Sequence, residues 1–244
     1  MCELCGRQID HAAVPRRRVL KFAAAAAVGL ALAPRAEAAS PKAPPKPQNV
    51  LSPDAALERL LDGNARYVEG VSRRHDFKHE REALSGGQNP FAAVLSCADS
   101  RIAPEYCFDV ARGDVFVCRV AGNFASDDIV ASFEYAVAVL NTPLIVVLGH
   151  DACGAVDATI KSIKDGTTLP GHLPALVDAL RPAVAAAQGK SGDLLANAIR
   201  SNVTLNIDRL KNAAPILKAA ADDKKIRVVG GVYELKTGKV QLIS

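Results

Sequence analysis

Cys97, His150 and Cys153 are the residues of this chain whose types and spacing point to chemistry. Thiolate and imidazole are donors that zinc prefers. Three protein donors with a fourth tetrahedral position left free mark a catalytic zinc more than a structural one. The H-x-x-C spacing of His150 and Cys153 lets both side chains converge where a strand passes into a helix. Cys97 opens the segment Cys97-Ala98-Asp99-Ser100-Arg101. Asp99 lies two residues from the first donor, within reach of a metal or its water. Arg101 can grip that carboxylate with a paired fork, keeping it ionised and oriented as a hydrogen-bond acceptor. Each feature alone has a plainer reading. A cysteine after a strand is commonly a buried thiol, and an Asp–Arg pair in a turn is commonly a surface ion pair of little energetic consequence.

These residues need a frame that brings two distant segments together. Residues 91–96 (FAAVLS) read as a short buried strand and 114–120 (DVFVCRV) as another, while 143–149 (PLIVVLG) is continuously apolar, the pattern of a strand covered on both faces in a parallel sheet. Helical spacing fills 53–69, opened by Ser52-Pro53. It also fills 126–140, with Ser126 as cap and Ile129, Val130, Phe133, Val137 and Leu140 on one face. Helical pattern dominates again from about 154 to 221. Residues 226–235 and 239–243 read as strands joined by a Thr237-Gly238 turn. The expected fold is therefore α/β, a mostly parallel central sheet flanked by helices with an antiparallel C-terminal edge strand. Cys97 and His150 each fall just past the carboxyl end of a strand, where open α/β sheets build their sites.

Composition excludes several functions. Of 244 residues, 49% are hydrophobic and 23% charged, a globular balance rather than a disordered one. Aromatic residues are 5% and Trp is absent, which argues against a stacking platform for single-stranded nucleic acid. The net charge of +4 is concentrated at the N-terminus: residues 1–38 hold six Lys/Arg and three Asp/Glu, leaving the rest at +1. Neither a nucleic-acid footprint nor stable membrane insertion is expected.

The N-terminus reads as an address. Basic PRRRVLK (15–21), a short apolar run (22–33) and Ala36-Glu37-Ala38 have the layout of a secretory signal. Paired arginines before Leu20-Lys21 resemble the twin-arginine export signal of bacteria, with Val19 where Phe is usual. We read 1–38 as a signal peptide, 39–51 as a Pro-rich linker and 52–244 as the folded domain, periplasmic or secreted. Cys2 and Cys5 precede the signal and would leave with it.

Cys97-Ala98-Asp99-Ser100-Arg101 and Gly149-His150-Asp151-Ala152-Cys153-Gly154-Ala155 resemble the two signature motifs of the beta-class carbonic anhydrases. The likeness extends to Gly87-Gln88-Asn89-Pro90-Phe91, Ala121-Gly122-Asn123 and Glu134-Tyr135-Ala136-Val137, and covers roughly 53–243. It implies one Zn2+ per chain on Cys97, His150 and Cys153, with Asp99 and Arg101 as catalytic dyad. Asp99 would be a fourth zinc ligand in a closed form. It further implies CO2 and bicarbonate as substrate and product, and a homodimer or higher homo-oligomer. Some bacterial members carry a regulatory bicarbonate pocket with a Trp three residues before the first ligand. Here that residue is Val94, although Arg119 matches that pocket's arginine, so this form of inhibition is not expected. Two other functions fit the same residues: hydrolysis of COS or CS2 on the same scaffold, and an exported thiol or metal-binding protein.

The remaining polar residues read plainly. Cys118 is expected to be a core thiol and Cys107 a surface or interface thiol, with a Cys107–Cys118 disulfide an open alternative. Residues 72–82, including His75 and His79, read as a solvated charged face, and His172 as a loop residue.

Overall fold

A computed structural model describes residues 50–243. The signal and most of the linker read above lie outside the described residues. The elements are α1 (Pro53–Val68), α2 (Phe77–Leu84), β1 (Ala92–Ser96), α3 (Pro104–Cys107), β2 (Val115–Arg119), α4 (Asp127–Ala138) and β3 (Leu144–His150). They continue with α5 (Gly154–Asp165), α6 (Leu173–Ala187), α7 (Leu194–Lys211), α8 (Ile216–Asp222), β4 (Arg227–Tyr233) and β5 (Val240–Ile243). Helix starts follow local chemistry. The Ser52 hydroxyl accepts from the Ala55 N–H at 3.2 Å, with Pro53 in the first turn, and Ser126 and Asp193 cap α4 and α7 in the same way.

One five-stranded sheet runs in the order β2-β1-β3-β4-β5, parallel throughout except for the antiparallel β4–β5 hairpin. Its two faces explain the unbroken apolar runs. Ala93 and Leu95 of β1 and Ile145 and Val147 of β3 face one core with Phe133, Leu180 and Val203. Ala92, Val94, Leu144, Val146 and Leu148 face a second core with Ala56, Leu60 and Phe108. Every residue of β1 and β3 is buried, and a fully buried Val or Leu contributes about 1.5–3 kcal/mol.

Helix α7 approaches the sheet closely because two strand residues lack a side chain. A Cβ on Gly149 would lie 2.7 Å from Val203 Cγ2, and one on Gly230 would lie 2.4 Å from Val203 Cγ1. Val203 therefore sits in a notch between β3 and β4.

The structure differs from expectation in three places. His150 is the last residue of β3, not the residue beyond it. Part of the charged segment folds as α2, where Arg112 donates to the Phe77 carbonyl at 2.6 Å and His75 meets Glu80 at 3.2 Å. Cys107 is buried, beneath an Asn64 amide that donates to its carbonyl at 2.9 Å. Cys107 and Cys118 are both free thiols, so the disulfide alternative falls. Among the described residues no helix is long and apolar enough to cross a membrane.

Candidate metal centre

β1 and β3 are parallel neighbours, with Ser96 opposite Leu148, so their carboxyl ends lie side by side. Cys97 follows β1 immediately and His150 ends β3. Cys153 occupies the N-cap of α5, where unsatisfied backbone N–H groups favour negative charge. The two sulfurs and one ring nitrogen lie within 4.8 Å of one another, and all three residues are buried.

The turn between His150 and Cys153 is held from both sides. The Asp151 N–H donates to the Tyr233 carbonyl at 3.1 Å, and Asp151 Oδ1 accepts from the Leu235 N–H at 2.9 Å. Ala152 closes the turn with φ +48°, a left-handed conformation that L-residues other than glycine seldom adopt. The His150 Nδ1 lies 2.8 Å from the Asp151 carbonyl oxygen. A carbonyl only accepts, so Nδ1 carries the proton and the Nε2 lone pair points inward. Nε2 is buried and has no hydrogen-bond partner. A buried, unsatisfied imidazole lone pair beside two thiols is the donor set zinc takes, and the two thiolates match its two positive charges. Orientation of the ring by the Asp151 carbonyl is the outer support such a ligand needs.

Asp99 is gripped by Arg101. Nε donates to Oδ1 at 2.9 Å, Nη2 to Oδ2 at 2.7 Å, and the Arg101 backbone N–H to Oδ1 at 2.9 Å. The side-chain bonds from Arg101 hold the Asp99 carboxyl well below the usual carboxylate range. Its Oδ2 stands 3.9 Å from His150 Nε2, facing the trio while committed to Arg101 instead of joining it. Arg119 supports the same loop from β2, donating to the carbonyls of Cys97 at 2.9 Å and Asp99 at 2.7 Å. Cys97 and Cys153 ionise in opposition. The Cys153 thiol pulls Cys97 well below the usual thiol range against the cost of burial, with His150 and the Gly122 N–H, 3.2 Å away, helping. Cys153 is pushed up by the negative Cys97 and by burial.

A family model described as carbonic anhydrase matches residues 92–240. Carbonic anhydrase 2 of Mycobacterium tuberculosis is 36% identical over 192 residues, spanning 78% of this chain and 93% of that protein. The carbonic anhydrase of Mycolicibacterium smegmatis is 36% identical over 194 residues, 79% of this chain and 94% of that one. This chain belongs to the beta-class carbonic anhydrases. Among solved structures of beta-carbonic anhydrases, CcaA covers 77% of this chain and 95% of its own, at 28% identity and a TM-score of 0.59. The Coccomyxa enzyme, solved with acetazolamide, covers 78% and 82% at 26% identity and a TM-score of 0.58. The α/β fold expected from the strand pattern is the fold of these beta-carbonic anhydrases.

The structure brings together Cys97, His150 and Cys153, with Asp99 and Arg101 at their edge. Reading the sequence missed Asp151 and Arg119 as supports of this beta-carbonic anhydrase loop pair, together with two asparagines of α7 described below. The asparagines left one trace: amides four apart among the helix positions that also bury Ala198, Ile199, Ser201, Val203 and Leu210.

Proposed function

We propose that this chain interconverts CO2 and bicarbonate, with one zinc ion held by Cys97, His150 and Cys153. The observation that carries the reading is the buried, unpartnered Nε2 of His150 beside two thiols, faced at 3.9 Å by a carboxylate that Arg101 holds ionised. Zinc bound there would act as a Lewis acid and make hydroxide available near neutral pH. Asp99 then accepts a hydrogen bond from the attacking oxygen and turns a lone pair toward CO2. Arg101 keeps Asp99 charged and aimed. Family membership supports CO2 over COS or CS2.

The test is zinc content together with stopped-flow CO2 hydration on the purified chain. One zinc per chain is expected, with activity lost on chelation and restored by zinc. A zinc-loaded chain that does not hydrate CO2 would refute the reading.

Self-association and export complete the proposal. β2 lies at the sheet edge with Val115 to Cys118 half-buried, and Tyr135 of α4 exposed beside Phe116. An edge strand with this apolar character favours pairing with a second copy, and sedimentation should report at least a dimer. Residues 1–38 would direct export, so the mature protein should begin near Ala39 on N-terminal sequencing.

A further inference from the structure

Two asparagines one turn apart on α7 reach the centre through the loop that follows β2. Asn202 and Asn206 are 2% and 6% exposed. Their amides have no ambiguity of orientation. The Ala125 N–H donates to Asn206 Oδ1 at 2.7 Å, so Asn206 Nδ2 is the donor to Asn202 Oδ1 at 3.0 Å and to the Asn202 carbonyl at 2.8 Å. Asn202 Nδ2 is thereby committed to the Gly122 carbonyl, 2.8 Å away. Gly122 in turn donates its N–H to Cys97 Sγ at 3.2 Å. The residue sits at φ +80°, and a Cβ there would lie 2.7 Å from Leu180 Cδ1, so the loop has little freedom to satisfy the sulfur in another way.

We infer that Asn202 is a positioning residue for the metal centre, setting the Gly122 N–H on the Cys97 sulfur, with Asn206 fixing the Asn202 amide. The inference rests on Cys97 being a metal ligand. A hydrogen bond to a ligating thiolate draws electron density from the sulfur, which sets the band energy, and it also orients the ligand, so that loss of such a partner costs about 10–100-fold in metal affinity. Asn64 provides the comparison. It is equally buried, and bonds to the backbone of Cys107, Gly238 and Val240 at 2.8–2.9 Å, on the face of the sheet served by α1. A purely structural asparagine should behave as Asn64 does.

The experiment loads the full chain with cobalt(II) and records the thiolate-to-cobalt charge-transfer band, with cobalt affinity measured by chelator competition. Asn202→Leu is expected to move the band to lower energy and weaken cobalt binding about tenfold. Asn64→Leu should lower the melting temperature and leave the band in place. Asn206→Ala, which frees the Asn202 amide without removing it, should shift the band the same way by less, and it decides the matter if Asn202→Leu does not fold. Loss of stability in the α7 variants with the band unmoved would overturn the inference alone. A wild-type chain whose cobalt form has no thiolate band would overturn the ligand assignment, and the inference with it.

Discussion

Gly230→Ala tests whether the seat of α7 on the sheet is set by a single missing methyl. The new Cβ would meet Val203 Cγ1 at 2.4 Å and Ile207 Cδ1 at 2.5 Å. Ile207 is half-buried and can swing its terminal methyl aside. Val203 is fully buried, and a β-branched side chain in a helix has one strongly preferred rotamer, so α7 must move instead. Overpacking of this kind costs about 1–3 kcal/mol, and a domain of this size loses roughly 2–4 °C of melting temperature per kcal/mol. Val203→Ala alone removes two buried methyls and should cost about 2 kcal/mol. In the double variant the added Cβ occupies space that Val203 vacated. The combined loss should therefore fall short of the sum by about 1 kcal/mol or more, measured by urea denaturation of all four proteins. Strict additivity, or an unchanged Gly230→Ala midpoint, would refute the account of the notch.

Three further outcomes are expected. Asp99→Asn should lower CO2 hydration by about two orders of magnitude while zinc stays bound, as read by stopped-flow and metal analysis. Ala152→Gly should raise stability by up to about 1 kcal/mol in thermal melts, because glycine accepts φ +48° without strain and Ala152 is exposed, so little buried surface is lost. The Asp99 carboxyl is held below its ordinary value of about 3.9. Its pairing therefore stabilises the fold above that pH and is lost as pH falls toward the lower folded value. Arg101→Gln should bring the Asp99 titration, followed by carboxyl NMR, back up toward the ordinary range.

The strands that carry the site were legible because β1 and β3 are buried on both faces and so read as unbroken apolar runs. Cys97 and His150 inherit their places from those runs, and the H-x-x-C spacing delivers Cys153. The α2 helix was not legible: FKHEREAL carries few apolar side chains, and its order comes from Arg112 and Glu80 contacts made at a distance in sequence. Cys107 read as exposed because its four-residue helix has no periodicity of its own. Asn64 and the second core bury it, and burial pushes its thiol up to about 12. Asn202 and Asn206 carry no motif, since their role depends on which loop lies across α7.

The supports of the centre enter from four of the five strands of the sheet, β1 to β4. β1 leads into Cys97, β2 supplies Arg119 and leads to Gly122, β3 ends in His150, and β4 and its hairpin to β5 hold Asp151 through Tyr233 and Leu235. The three buried donors, Cys97, His150 and Cys153, are thus each fastened to a strand or to the turn that strands hold. The opening free energy of these donors is tied to that of the strands themselves, which places the amides of Cys97 and His150 among the last in the molecule to exchange their protons.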